Sequence, residues 1–148
     1  MKMRMGIALL AMGGVVLAIY LSLYKLGMIS ELTCAVGSCE TVQLSKWATF
    51  LGLPVAVWGV GAYLAVLVLA LIGLQPAFVD SRLISWLLVG LNAWNVLFSG
   101  WLTYLELYVI NAICMWCVVS AILMMIIFLL SLLDLRAVYG PRLAQDDP

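Results

Sequence analysis

The sequence contains no histidine and very little charge. Its 148 residues include seven Lys or Arg and seven Asp or Glu, so that 9% are charged and the formal net charge is zero. The lack of histidine excludes Ser-His-Asp and Cys-His catalysis, and also metal or haem sites that use histidine ligands. No basic patch is present, so nucleic acid is not expected as a partner.

Hydrophobic residues make up 67% of the chain, whereas a soluble domain is about half apolar and about a quarter charged. They form four runs long enough to cross the roughly 30 Å hydrocarbon core of a membrane, at approximately 5–24, 53–74, 83–105 and 113–133. The first run exceeds the roughly 7–15-residue core of a signal peptide, so we expect it to be retained. The sequence therefore predicts an all-α integral membrane protein, with residues 1–148 forming a single domain built as a four-transmembrane-helix bundle.

The sizeable polar segment is the loop 25–52, which holds Cys34 and Cys39. After these cysteines, apolar residues recur at helical spacing up to Gly52, a typical C-cap residue; they are Leu44, Trp47, Ala48 and Leu51. This pattern predicts a short amphipathic helix on the membrane surface. The alternative is an ordinary connecting loop.

The basic residues predict the orientation of the bundle. Five lie on one side of the predicted spans and two on the other: Lys2, Arg4, Arg82, Arg136 and Arg142 against Lys25 and Lys46. Cytoplasmic segments carry the excess of Lys and Arg. Both termini are therefore expected in the cytoplasm, and the cysteine loop with the start of the fourth span is expected to face outward.

Four cysteines, in the pairs Cys34/Cys39 and Cys114/Cys117, converge on that outer side. Cys114 and Cys117 are three residues apart, so they share one face at the start of a helix, where the helix dipole favours thiolates. Three interpretations fit the pairs. They are a thiol–disulfide relay between water and membrane, a four-cysteine zinc or iron–sulfur site, and structural disulfides in a non-enzymatic membrane protein. The relay is favoured because a loop pair can reach a soluble protein, whereas a helix-end pair can reach the lipid phase.

Electrons that enter a bilayer need a lipid-soluble acceptor. The sequence has no flavin or nicotinamide motif, so a membrane quinone is the predicted electron acceptor. Asn92 and Asn95, near the middle of the third span, are candidate quinone contacts, although such residues more often join helices. Aromatic residues at the outer end indicate either a ring pocket or an interfacial belt; they are Trp58, Trp101, Tyr104, Tyr108 and Trp116.

Two stretches together resemble the vitamin K epoxide reductase family in its bacterial form. The first runs Cys34-x4-Cys39-Glu-Thr-Val-x-x-Ser45-x-Trp-Ala and continues with Gly52-x-Pro54 and Gly59-x-x-x-Tyr63. The second, Tyr104-Leu-Glu-x-x-Val-Ile-x-Ala-Ile-Cys114-x-Trp-Cys117-x-x-Ser120-Ala, is similar to the family's active-site helix. The resemblance implies a four-helix bundle around a quinone (menaquinone or ubiquinone), capped by the loop helix, in a bacterial plasma membrane.

The resemblance also implies roles for individual residues. Cys117 is expected to face the quinone, Cys114 to exchange with Cys39, and Cys34 to meet a partner thiol. Ser45 matches a loop serine that the family places near the active site, and Trp116 lies within the active-site motif, so both join Asn92 and Asn95 as candidate quinone contacts. The implied activity is quinone-linked reoxidation of a protein dithiol, which supports disulfide formation outside the cytoplasm.

The chain departs from its relatives in two respects. Vertebrate members have a tyrosine that contacts the quinone four residues after the second active-site cysteine, where this chain has Ala121. Vitamin K epoxide is therefore not the substrate that we predict. Many bacterial members carry a fused thioredoxin-like domain, which this sequence does not contain, so the expected partner is a separate, soluble, DsbA-like protein of the thioredoxin fold.

Overall fold

The computed structural model describes residues 2–31, 33–34 and 37–143. Four of its helices are long and apolar enough to cross a membrane; they are built from α1 (Lys2–Lys25), α3 (Val55–Leu74), α4 (Arg82–Tyr104) and α5 (Met115–Leu143). Between α1 and α3 lie α2 (Cys39–Leu44), a 3-10 helix (Lys46–Ala48), and the two-residue strands β1 (Thr49–Phe50) and β2 (Leu53–Pro54). The predicted four-helix membrane bundle is confirmed.

Close packing between small and large residues holds the long helices together. α1 packs against α3 and α5, and α4 packs against α5 and α3. Gly14 of α1 lies directly against the ring of Tyr63 on α3, where any side chain at residue 14 would collide with the ring. Such small residues let membrane helices approach closely. The Tyr63 hydroxyl in turn hydrogen-bonds Ser120 Oγ at 2.7 Å, which joins α3 to α5.

A buried arginine joins all four long helices at the end of the bundle near the termini. Arg4 is 1% exposed, and its Nε donates to both carboxylate oxygens of Asp134 on α5 at 3.1 Å. Its Nη1 donates to the Gly73 carbonyl near the end of α3, and its Nη2 donates to Ser85 Oγ on α4. The count of basic residues treated Arg4 as a free charge in a loop. In the structure Arg4 is paired inside the protein.

The loop helix is present but shorter than the apolar spacing indicated. α2 ends at Leu44, and Ser45 turns to extended backbone, with its hydroxyl donating to the Val42 carbonyl at 2.8 Å. Leu51 and Gly52 both have positive φ, at 51° and 81°. Two such residues form the tight turn of a β-hairpin. Gly52 is therefore a turn residue between β1 and β2 and not the cap of a helix.

The third and fourth spans also extend beyond the predicted limits. Leu105–Ile110 form a π-helix that continues α4 past the predicted limit of the third span at residue 105, and the chain reverses at Asn111, which has a φ of 56°. α5 continues through Asp134 to Leu143, beyond the predicted limit of the fourth span at residue 133. Asp134 is buried within this helix, and Arg4 compensates its charge. Residues 144–148 lie outside the described residues.

Candidate active site

The cysteine loop is attached to the start of α5 by backbone pairing. Gly37 forms an antiparallel bridge with Cys114, and the Ser38 N–H donates to the Ile113 carbonyl at 2.8 Å. Gly37 has a φ of 91°, and a Cβ there would collide with the Ile113 carbonyl oxygen. The bridge places Cys39 in one buried cluster with Cys114. The fold thus brings together the two cysteine pairs that the sequence keeps far apart.

The four cysteines are in two redox states. Cys34 and Cys39 form a disulfide, whereas Cys114 and Cys117 are free thiols. The Cys117 N–H donates to Cys114 Sγ at 3.4 Å. The side-chain hydrogen bond with Cys117 lowers the pKa of the Cys114 thiol. Since the thiolate is the attacking form, Cys114 is suited to thiol–disulfide exchange.

The alternative of a four-cysteine metal site requires four thiolates in one cluster. Cys34 and Cys39 are bonded to each other and so do not supply thiolates in this state. Within the ranges 2–31, 33–34 and 37–143, no group of three or more Cys, Asp or Glu side chains is arranged to hold a metal ion. The four cysteines are therefore arranged as two thiols and one disulfide, and not as four thiolate ligands of a metal ion.

Two buried polar residues that the sequence analysis did not select lie beside Cys117. Gln43 of α2 has its Nε2 at 3.6 Å from Cys117 Sγ. Glu106 of the π-helix is 5% exposed, accepts the Cys114 N–H at Oε2 at 3.3 Å, and makes a side-chain contact with Cys117. The sequence feature that could have identified Glu106 is its position as a single acidic residue just after the 23-residue apolar helix α4. Gln43 had no such signal, because polar residues are common in loops.

A cavity of about 780 Å³ lies beside Cys117, between the loop and helices α1, α3, α4 and α5. Its wall is largely apolar and includes the rings of Trp47, Trp58 and Phe98. Trp58 Nε1 donates to the Phe50 carbonyl at 3.0 Å, which holds the hairpin over this wall. This size and lining are typical of a site for a small apolar molecule. Cys117 and Glu106 both line this cavity.

Two of the four predicted quinone contacts line this cavity, namely Asn95 and Ser45. Asn95 is 7% exposed, and its Nδ2 has no hydrogen-bond partner among the described residues. An unpaired buried donor costs free energy unless a ligand accepts from it. Asn95 is therefore the polar group best placed to hold an oxygen atom inside the cavity.

The other two predicted contacts, Asn92 and Trp116, are not part of the cavity lining. Asn92 Nδ2 donates to Ser131 Oγ on α5 at 2.9 Å, which corresponds to the helix-joining alternative. Trp116 Nε1 donates to the Thr33 carbonyl at 2.7 Å, and its indole packs edge-on against Tyr20 of α1. Trp116 therefore fixes the cysteine loop on the bundle.

The remaining outer aromatic residues belong to the surface. Trp101, Tyr104 and Tyr108 form a continuous stack, with ring centroids 5.9 and 5.1 Å apart, and all three side chains are at least half exposed. Exposed aromatic side chains near the end of a bundle of membrane-spanning helices are typical of the membrane–water interface. Of the five outer aromatic residues, only Trp58 lines the cavity.

Comparison with known families agrees with this arrangement. The family model described as the vitamin K epoxide reductase family matches residues 5–132, which is nearly the whole chain. The matched range contains both cysteine pairs, the loop that bridges them, and the cavity-lining helices. The chain belongs to the vitamin K epoxide reductase family.

Proposed function

We propose that this protein is a quinone-dependent thiol oxidoreductase that reoxidises a soluble, DsbA-like partner of the thioredoxin fold and so supports disulfide formation outside the cytoplasm. Family membership and the cysteine cluster give the broader activity, that of a membrane thiol oxidoreductase. The observation that carries the finer proposal is the position of the Cys114/Cys117 pair. Cys114 adjoins the loop disulfide, and Cys117 lies on the wall of an apolar cavity.

The loop pair exchanges electrons with the protein partner. A partner thiolate attacks Cys34 Sγ, which breaks the Cys34–Cys39 bond and frees Cys39. The partner's second thiol then displaces Cys34, and the partner leaves with its own disulfide. Two electrons have now entered the loop pair, which holds two thiols.

The electrons then pass to the helix pair by the same chemistry. Cys39 attacks Cys114 of a Cys114–Cys117 disulfide and displaces Cys117. Cys34 attacks Cys39, which restores the loop disulfide and releases Cys114. Cys114 and Cys117 take up the two protons that Cys34 and Cys39 give up. The result is a loop disulfide with two free thiols on the helix, the state that the structure contains.

A quinone, when bound, accepts two electrons and two protons. The cavity fits such a ring in volume and in its apolar lining. Asn95 is suited to donate a hydrogen bond to a ring oxygen because its Nδ2 has no partner among the described residues. Ser45 lines the same space, although its hydroxyl is already used by the Val42 carbonyl. We therefore assign the main polar contact to Asn95.

The test measures quinone reduction by the purified protein from the change in quinone absorbance. The electron donor is either dithiothreitol or a DsbA-like protein. We expect the wild type to reduce a short-chain ubiquinone or menaquinone analogue with either donor, and Cys117→Ala to reduce it with neither. Cys34→Ala should lose the reaction with the protein donor. It should keep much of the reaction with dithiothreitol, because that small dithiol can reduce the helix pair directly.

The structural-disulfide alternative predicts a different result. It predicts no quinone reduction by the wild type, and a lower melting temperature in the loop variants without any change in electron transfer. Equal loss with both donors in folded Cys34→Ala would contradict the relay. A Cys39–Cys114 crosslink in Cys34→Ala, detected by mass spectrometry after digestion, would support it.

A further inference from the structure

Glu106 is an acidic residue enclosed beside the reactive thiols. It is 5% exposed, lies on the π-helix that precedes the Cys-x-x-Cys segment, and lines the same cavity as Cys117. Its Oε2 is 3.3 Å from the Cys114 nitrogen, and its side chain contacts that of Cys117. Among the described residues, no lysine or arginine forms an ion pair with it.

A hydrogen-bond acceptor at this position does not need to be a carboxyl group, which carries a large desolvation free energy when it is buried and ionised. Burying an unpaired carboxylate costs several kcal/mol, on the order of what several hydrogen bonds return. An amide side chain could accept the Cys114 N–H without that cost. The property that distinguishes a carboxyl group from an amide is that it gains and loses a proton.

The other ionisable groups on the described cavity wall do not offer this property at Cys117. The wall contains Cys117, Glu106 and Tyr63, and it contains no Lys, Arg or Asp. Tyr63 is engaged with Ser120 Oγ at 2.7 Å. Gln43 contacts Cys117 through an amide, which does not exchange a proton in this way. Glu106 is thus the one carboxyl group that touches both Cys117 and the described cavity.

We propose that Glu106 is a catalytic residue that accepts the proton of the Cys117 thiol and delivers it to an oxygen atom of the molecule in the cavity. This inference rests on the proposed quinone reduction. In that reaction both S–H bonds break, the Cys114–Cys117 bond forms, and two electrons and two protons pass to the quinone, which becomes the hydroquinone. Glu106 carries the proton from Cys117 and regains its initial state, while the second proton comes from Cys114.

A first experiment measures the thiol without quinone. In a Cys114→Ala background, Cys117 is the remaining free thiol, because Cys34 and Cys39 form a disulfide. Its rate of alkylation by iodoacetamide is measured with Glu106, with Glu106→Gln, and with Glu31→Gln. The last variant is a control that removes an exposed carboxylate from the cysteine loop. We expect Glu106→Gln to speed alkylation at neutral pH by about tenfold, because a neighbouring negative charge opposes formation of the thiolate.

A second experiment measures dithiothreitol-driven quinone reduction with all four cysteines present. We expect Glu106→Gln to slow it by about a hundredfold, within the range that general acid–base catalysis contributes. Glu106→Asp should retain part of the rate, and Glu31→Gln should retain all of it. A variant with a more reactive Cys117 but slower quinone reduction is the signature of a lost proton carrier.

The outcomes separate the inference from the function on which it rests. A wild-type protein that reduces no quinone overturns the proposed function, whatever Glu106 does to alkylation. An active wild type with the same alkylation rate in Glu106→Gln as in the parent overturns the inference alone. Retention of quinone reduction in Glu106→Gln, whose amide oxygen can still accept the Cys114 N–H, would show that Glu106 only positions the Cys114 backbone.

Discussion

Asn92 and Asn95 are three residues apart on α4 and were indistinguishable in the sequence, but their side chains have different surroundings. Asn92 donates to Ser131 on α5, whereas the Asn95 amide lines the cavity without a partner among the described residues. The α-helix separates them because positions three apart are displaced around the helix axis as well as along it. One asparagine can therefore join helices while the other binds a ligand.

This difference predicts opposite effects of one substitution at the two sites. We expect Asn95→Leu to raise the KM for quinone by roughly three- to tenfold, the effect of one lost hydrogen bond, while the melting temperature stays the same or rises. Asn92→Leu should leave this KM unchanged and lower stability by about 1 kcal/mol or less. Quinone titrations and thermal unfolding of both variants test the assignment. An unchanged KM in Asn95→Leu would contradict it.

The ionisation of Cys114 gives a second prediction at this scale. The side-chain hydrogen bond with Cys117 lowers the pKa of the Cys114 thiol. Cys117→Ala removes that side chain, so it should raise the pKa of Cys114 and reduce its thiolate fraction at neutral pH. Cys117→Ser keeps a hydrogen-bond donor and should show a smaller rise. Ultraviolet thiolate absorbance, recorded against pH, measures the change, since Cys114 is the remaining free thiol in both variants. Identical titrations of the two variants would show that the hydrogen bond has no such effect.

At the scale of elements, the bridge between the cysteine loop and α5 depends on one glycine. Gly37 combines a positive φ with direct contact to the Ile113 carbonyl, whereas Gly27 has a positive φ with open space around it. Gly27 lies just after α1, where the Gly27 N–H donates to the Tyr24 carbonyl and the Met28 N–H donates to the Leu23 carbonyl. The two glycines share the backbone strain that a side chain would cause, but only Gly37 adds a collision.

We therefore expect Gly37→Ala to slow oxidation of the protein partner by about tenfold or more, since it displaces Cys39 from Cys114. Gly27→Ala should lower stability by about 1 kcal/mol through backbone strain, with little effect on that rate. Dithiothreitol-driven quinone reduction, which bypasses the loop, should persist in both. Similar partner-oxidation rates in the two variants would indicate that the bridge does not position Cys39.

The apolar runs in the sequence were sufficient to locate the helices of the bundle but not their ends. Length and hydropathy report where a helix can cross the membrane, but the π-helix Leu105–Ile110 and the polar end of α5 depend on tertiary contacts. Asp134, for example, can be buried within α5 because Arg4, which is far away in the sequence, pairs with it. In the loop, apolar spacing alone did not distinguish a helix from a hairpin, because Gly52 suits both a C-cap and a tight turn.

The sequence was likewise sufficient to predict the cysteines of the site but not the residues around them. Cysteine spacing identified the two pairs, because the chemistry of thiol exchange requires that residue type. The residues around them were harder to identify. Glu106 and Gln43 are chemically ordinary in the sequence, and their importance comes from burial beside Cys117. That burial is a property of the folded bundle and leaves no local pattern.

At the scale of the whole molecule, orientation in the membrane stays a prediction. Pairing of Arg4 with Asp134 leaves Lys2, Arg82, Arg136 and Arg142 as the basic residues that favour cytoplasmic termini, against Lys25 and Lys46. We still expect the cysteine loop to face outward. A variant that keeps Cys34 as its single cysteine should react with a membrane-impermeant thiol reagent in intact cells. Reaction only after the membrane is opened would reverse the topology.

The pairing of Arg4 with Asp134 also has a consequence for biosynthesis. The two residues are 130 positions apart, so the ribosome releases Arg4 into the membrane long before it makes its partner. Until α5 arrives, the guanidinium lacks its buried counter-charge, and its place at the end of the bundle leaves it near the lipid headgroups. The four helices can therefore close around Arg4 only when the last one is complete. A chain cut short before Asp134 would leave Arg4 without a counter-charge at this end of the bundle.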